Sequence, residues 1–86
     1  MSQVKVRFTR HAAEKFDVLE RYGFRIRRKI VVQAVNDPAF VERRDNQVLA
    51  LKVLDDVYAL RVVYEERNDI KIVVTFYPVR RDRFGV

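Results

Sequence analysis

The chain has 86 residues, 49% of them apolar, 35% charged and none cysteine, which is enough for one domain spanning 1–86 and excludes disulfides and thiolate metal centres. Eighteen Lys and Arg against twelve Asp and Glu leave a formal charge of +6, which suits a polyanionic partner or serves solubility. The opening Met1-Ser2-Gln3-Val4-Lys5 lacks the apolar run of a signal peptide, and no stretch approaches the ~20 apolar residues of a membrane helix, so the expected setting is the cytoplasm with no membrane partner.

Val4, Val6 and Phe8 alternate with Lys5 and Arg7, the period of a half-buried strand, which places the first strand at 3–8. Thr9 then offers a helix cap, Ala12, Phe16 and Leu19 recur at helical spacing, and Gly23 supplies a left-handed stop, giving a helix over 10–22. Ile26, Ile30 and Ala34 repeat that spacing up to Asn36-Asp37-Pro38, giving a second helix over 26–36. Beyond Pro38 the pattern changes to strands near 39–44, 47–54, 57–65 and 70–77, separated by Asp45-Asn46, Asp55-Asp56 and Arg67-Asn68-Asp69, with a short Arg-rich tail after Pro78. The expected class is α+β, in the order β-α-α-β-β-β-β, with two N-terminal helices packed on one face of a twisted antiparallel sheet.

Turn length decides which side chains share a face. A two-residue turn at Asp55-Asp56 and a three-residue turn at Arg67-Asn68-Asp69 would gather Leu49, Leu51, Val53, Tyr58, Leu60, Val62, Tyr64, Ile70, Ile72, Val74 and Phe76 beneath the helices. Ala50, Lys52, Ala59, Arg61, Val63, Lys71, Thr75 and Tyr77 would then occupy the other face. There Arg61, flanked by small side chains, could grip a phosphate bidentately; the plainer reading is an ion pair with an acid such as Glu42.

Charge is unevenly distributed along the chain. Residues 1–30 hold nine basic and three acidic side chains, whereas 45–69 hold three and six. The densest clusters are Arg21, Arg25, Arg27, Arg28 and Lys29, and the tail Arg80, Arg81 and Arg83. Each serves as a solvated surface or a phosphate contact. The high charged fraction, with no Trp and one Met, also leans towards a thermophilic source.

The strand Tyr58-Ala59-Leu60-Arg61-Val62-Val63-Tyr64, the strand Ile70-Lys71-Ile72-Val73-Val74-Thr75-Phe76-Tyr77 and the ending Arg80-Arg81-Asp82-Arg83-Phe84 resemble the C-terminal half of RelE/ParE-type toxins. Phe8-Thr9-Arg10-His11-Ala12 resembles the opening of small uncharacterised prokaryotic proteins with the same layout. The resemblance implies two N-terminal helices on an antiparallel sheet. It also implies either metal-independent cleavage of messenger RNA on the ribosome, with the 2′-hydroxyl as nucleophile, or poisoning of DNA gyrase. It matches Arg61 to the family's strand arginine and Arg81 to its terminal arginine, and it implies an acidic antitoxin-like partner. Phe84 stands where nucleolytic members often carry Tyr, so the usual proton-transfer hydroxyl is absent.

His11 is the one side chain whose ordinary pKa lies near neutrality, and Lys15 shares its helix face, so these two join Arg61 and Arg81 as catalytic candidates. The alternative for His11 is a surface or capping residue without chemistry. Lys52, Lys71, Tyr77, Arg80 and Arg83 are the expected nucleic-acid contacts, with Tyr77 able to stack on a base or to serve as an ordinary sheet tyrosine. One His and turn-bound carboxylates do not build a metal site, and without a Gly-rich loop no nucleotide cofactor is expected. The leading expectation is an RNA-binding toxin-type domain, an endoribonuclease if His11 or Lys15 serves. Its rival is a non-catalytic module of the same fold.

Overall fold

The computed structural model describes residues 5–86. Strand β1 (Lys5–Phe8) turns Val6 and Phe8 onto the core; the expected strand positions 3 and 4 lie outside the described residues. Thr9 ends β1 and starts α1 (Arg10–Arg21): its hydroxyl accepts from the Ala12 N–H at 3.1 Å and donates to the Val74 carbonyl at 3.2 Å. One side chain thus caps the helix and ties it to the sheet. Gly23, at φ 91°, provides the left-handed stop after the helix. Helix α2 (Arg28–Asn36) begins two residues later than the periodicity indicates, because Ile26 packs on the core from an extended segment.

Strands β2 (Phe40–Arg44), β3 (Gln47–Val53), β4 (Tyr58–Arg67) and β5 (Ile70–Arg80) form the meander, and a single turn of helix, α3 (Arg81–Phe84), follows. The sheet order is β1-β5-β4-β3-β2. Because β1 runs parallel to β5, the sheet is mixed, which corrects the expected antiparallel sheet. Phe8 and its partner Val73 are far apart in sequence, so no turn chemistry specifies that pairing. The expected tail is also partly strand: β5 runs through Pro78 to Arg80, in the stretch that β1 does not reach. A local sheet edge tolerates proline.

Two registers differ from expectation, and both matter for the site. At the β3–β4 connection the Asp55 carboxylate accepts from the Val57 and Tyr58 N–H groups at 2.8 and 2.7 Å, forming a longer loop in place of a two-residue turn. Val53 therefore lies opposite Ala59, Leu51 opposite Arg61 and Leu49 opposite Val63. That one-residue shift moves Leu49, Leu51 and Val53 to the face away from the helices, and puts Ala50 and Lys52 on the helix side. At the β4–β5 hairpin the turn is two residues, so Arg67 pairs with Ile70. A bulge then leaves Val74 unpaired between Tyr64–Val73 and Val63–Thr75. The bulge reverses the alternation along β5: Ile70 and Ile72 turn away from the helices and Lys71 turns towards them.

Helices α1 and α2 pack on one face, and only α3 lies on the other. Ala12, Leu19, Val31, Ala34 and Val35 from the helices meet Val48, Ala50, Leu60, Val62, Tyr64, Val73 and Phe76 from the strands. Phe16 links Phe8 and Phe76 at ring separations of 5.7 and 4.7 Å, each such pair contributing about 1 kcal/mol beyond area burial. Burial pushes the Tyr64 hydroxyl pKa up. No helix among the described residues is long and apolar enough to cross a membrane.

Candidate functional site

The opposite face of the sheet is free of α1 and α2, and Arg61 stands in the middle strand of its three-strand core, β5-β4-β3. Alternation along β4 sends Leu60 and Val62 to the helices and Arg61 to the open side. Its side chain is only 17% exposed, with Glu42 Oε2 3.9 Å from its guanidinium. That separation is an ion pair beyond hydrogen-bond reach, so the acid balances the charge while the N–H donors remain available to water or a ligand. Glu42 is drawn towards Arg44 as well, at 3.3 Å.

The C-terminal turn covers this arginine. Phe84 lies with its ring centroid 5.3 Å from the Arg61 guanidinium carbon, a cation–π distance. Three contacts hold the turn there: Arg81 N–H donates to the Val57 carbonyl at 2.8 Å, and the Arg81 side chain donates to the Asp55 carbonyl and the Val86 carbonyl, each at 3.0 Å. Gly85, at φ 67°, lets the chain leave the turn. Phe40, Leu49, Leu51 and Phe84 enclose a recess of about 20 Å³ beside the Arg61–Glu42 pair. Leu51 is therefore buried, at 4% exposure, although α1 and α2 lie on the other face.

On the β5 side of Phe84, Arg61, Tyr77, Arg80, Arg83 and Phe84 line a shallow groove of about 550 Å³. Tyr77 is the direct cross-strand partner of Arg61. Arg80 donates to the Asp82 carboxylate at 3.3 Å through two nitrogens, which holds the Asp82 pKa below the usual carboxylate range and raises that of Arg80. Arg83 is exposed and makes no ion pair among the described residues.

The structure thus brings together Arg61, Tyr77, Arg80 and Arg83, and leaves the other sequence candidates elsewhere. His11 is exposed on α1 and Lys15 is partly exposed on the same helix; α1 packs on the helix-covered face, so the sheet separates both from Arg61. Lys52 lies opposite Leu60 on the helix side. Lys71 has its ammonium 5.5 Å from the centre of the Tyr64 ring, again on the helix side. Arg81 secures the C-terminal turn to two backbone carbonyls and does not line the groove.

Sequence reasoning gave Phe84 no role of its own and placed Leu49 and Leu51 on the wrong face. The run Val48-Leu49-Ala50-Leu51 is apolar at every position, so its pattern cannot select a face. The usable signal was Asp55, whose side chain can lengthen a turn by accepting two backbone N–H groups. Among the described residues no three His, Asp or Glu side chains gather in a cluster that could hold a metal ion. Comparison with known proteins gave no match to any family model, curated protein or solved structure.

Proposed function

We propose that this domain binds single-stranded RNA on the open face of its sheet and acts as a binding module rather than a nuclease. The observation that carries the reading is the convergence of three guanidinium groups, Arg61, Arg80 and Arg83, with two aromatic rings, Tyr77 and Phe84, around one groove. Single strands are held by this combination: cations follow the phosphates while bases stack on exposed rings, each stack contributing about 1–3 kcal/mol. The groove is shallow and open, so it suits a flexible strand whose bases can be splayed out.

The same geometry supports binding over cleavage. Proton transfer requires a titratable group within hydrogen-bond reach of the reacting atoms; His11 and Lys15 lie across the sheet from Arg61, and of the groups beside it Glu42 is engaged by Arg61 and Arg44, which leaves Tyr77 alone. Phe84 contributes a ring without a hydroxyl, and Arg81 is held by backbone carbonyls.

Fluorescence anisotropy with a labelled single-stranded RNA tests the reading. Wild type should bind with strong salt dependence and leave the RNA intact. Arg61→Ala and Phe84→Ala should each weaken binding about tenfold or more, equivalent to at least about 1.4 kcal/mol. Affinity unchanged in both variants, or a strand cut at the rate of a nuclease, would overturn it. A labelled duplex and a single-stranded DNA of the same sequence complete the comparison, and preference for either over the RNA counts against the proposal.

A further inference from the structure

We infer that two copies of this chain join edge to edge through β2, by antiparallel pairing of Phe40–Arg44 with the same segment of the other copy. The inference is independent of the RNA reading, because it rests on a different part of the molecule.

Strand β2 is one end of the sheet, and among the described residues no strand pairs with its outer edge. Its pairing to β3 is regular over all five residues. Edge strands that must remain solitary are commonly protected by shortness, charge, a proline or a bulge; β2 carries neither proline nor bulge, and its charges Glu42, Arg43 and Arg44 are already engaged in ion pairs within the chain. Large apolar side chains are exposed on both sides of this strand: Phe40, 53% exposed, lies on the open side near the exposed Val53, Val57 and Phe84, and Val41, 39% exposed, lies on the helix side. Such a grouping marks an association surface more often than scattered exposed residues do.

The sequence of the strand selects a second copy as the occupant. In a two-fold pairing centred on Glu42, all five residues overlap. Phe40 lies directly opposite Arg44 of the other copy, and Val41 opposite Arg43, each twice by symmetry. Each exposed apolar side chain is then covered by an arginine stem, and the Phe40 ring gains a cation–π partner. At the axis Glu42 meets its counterpart, but each carboxylate already has Arg44 at 3.3 Å and Arg61 at 3.9 Å. Arg43 is balanced by Glu66 at 3.1 Å, so no unpaired like charges meet in this register.

Charge distribution agrees with the choice of edge. Residues 40–67 carry five basic and six acidic side chains, whereas the rest of the chain carries thirteen and six. Two copies meeting at β2 therefore approach through the least basic part of the molecule. With the axis perpendicular to the sheet, the two open faces point the same way.

Sedimentation equilibrium on the full chain tests the inference. Wild type should have twice the chain mass and dissociate on dilution. Phe40→Arg places like charges opposite each other twice and should weaken the dimer about tenfold or more; Phe40→Glu, which instead faces Arg44 of the other copy with the opposite charge, should retain it. Circular dichroism on both variants confirms that the exposed substitutions leave the fold intact. A wild-type monomer at the highest soluble concentration, a Phe40→Arg dimer of undiminished strength, or a Phe40→Glu chain that stays monomeric would each overturn it.

Discussion

The two faces of this sheet are built from the same strands and have opposite characters. On the helix side Leu60, Val62, Val73 and Phe76 have no exposed surface, and apolar burial of this kind is the main stabilising contribution to a domain this small. On the other side a guanidinium, a carboxylate and two aromatic rings share a surface with Leu49 and Leu51, covered by a single helical turn. The helix-covered face is filled by apolar contacts, whereas the other face turns guanidinium groups and aromatic rings towards a groove. A site can develop where the fold has not used up the side chains, and here that is one side of four strands.

The contrast is broken most directly in the core. Phe76→Ala removes the ring that packs beneath α1 and should lower stability by about 3–5 kcal/mol, read as a shift in urea midpoint. The fraction that remains folded should bind RNA with unchanged affinity, because Phe76 faces away from the groove. If the folded fraction lost affinity in step with stability, the two faces would not be separable.

Arg83→Ala probes the other side. It should leave the urea midpoint within about 0.5 kcal/mol of wild type. The slope of log affinity against log salt should shrink by about 0.7, as expected for the loss of one phosphate contact to a single strand. An unchanged slope would remove Arg83 from the interface.

A smaller effect belongs to the loop that sets the register. The Tyr58 and Val57 N–H groups hold the Asp55 carboxyl below its ordinary value of 3.8. A carboxylate with a lowered folded pKa contributes stability that is present above the unfolded value and is lost as pH falls through the folded one. Asp55→Asn should therefore melt with a flatter pH profile than wild type below about pH 4, while the two profiles run parallel above it. A variant that retains the full acid sensitivity would show that Asp82, whose pKa is also lowered, or another carboxylate governs that range.

The smallest expected effect is none. His11→Ala and Lys15→Ala lie across the sheet from the groove and should leave both RNA affinity and RNA integrity unchanged. An effect of either on binding would extend the interface to the helix side and weaken the distinction between the faces.

Local chemistry determined much of this molecule. Thr9 capping α1, Gly23 ending it, the helical spacing of Ala12, Phe16 and Leu19, and the position of Arg61 on the face away from the helices were all legible, because each depends on residues close together in the sequence. The α+β class followed from the same signals, whereas the closing helix α3 did not. Other features depended on groups distant in sequence or on one extra residue. The parallel docking of β1 on β5 joins opposite ends of the chain. The Asp55 loop shifted β3 by one position and the Val74 bulge reversed the start of β5, and with a side-chain period of two each change transferred residues from one face to the other. Lys52 and Lys71 left the site in this way, Leu49 and Leu51 entered it, and the ring of Phe84 reached Arg61 only once the tail had folded back over the sheet.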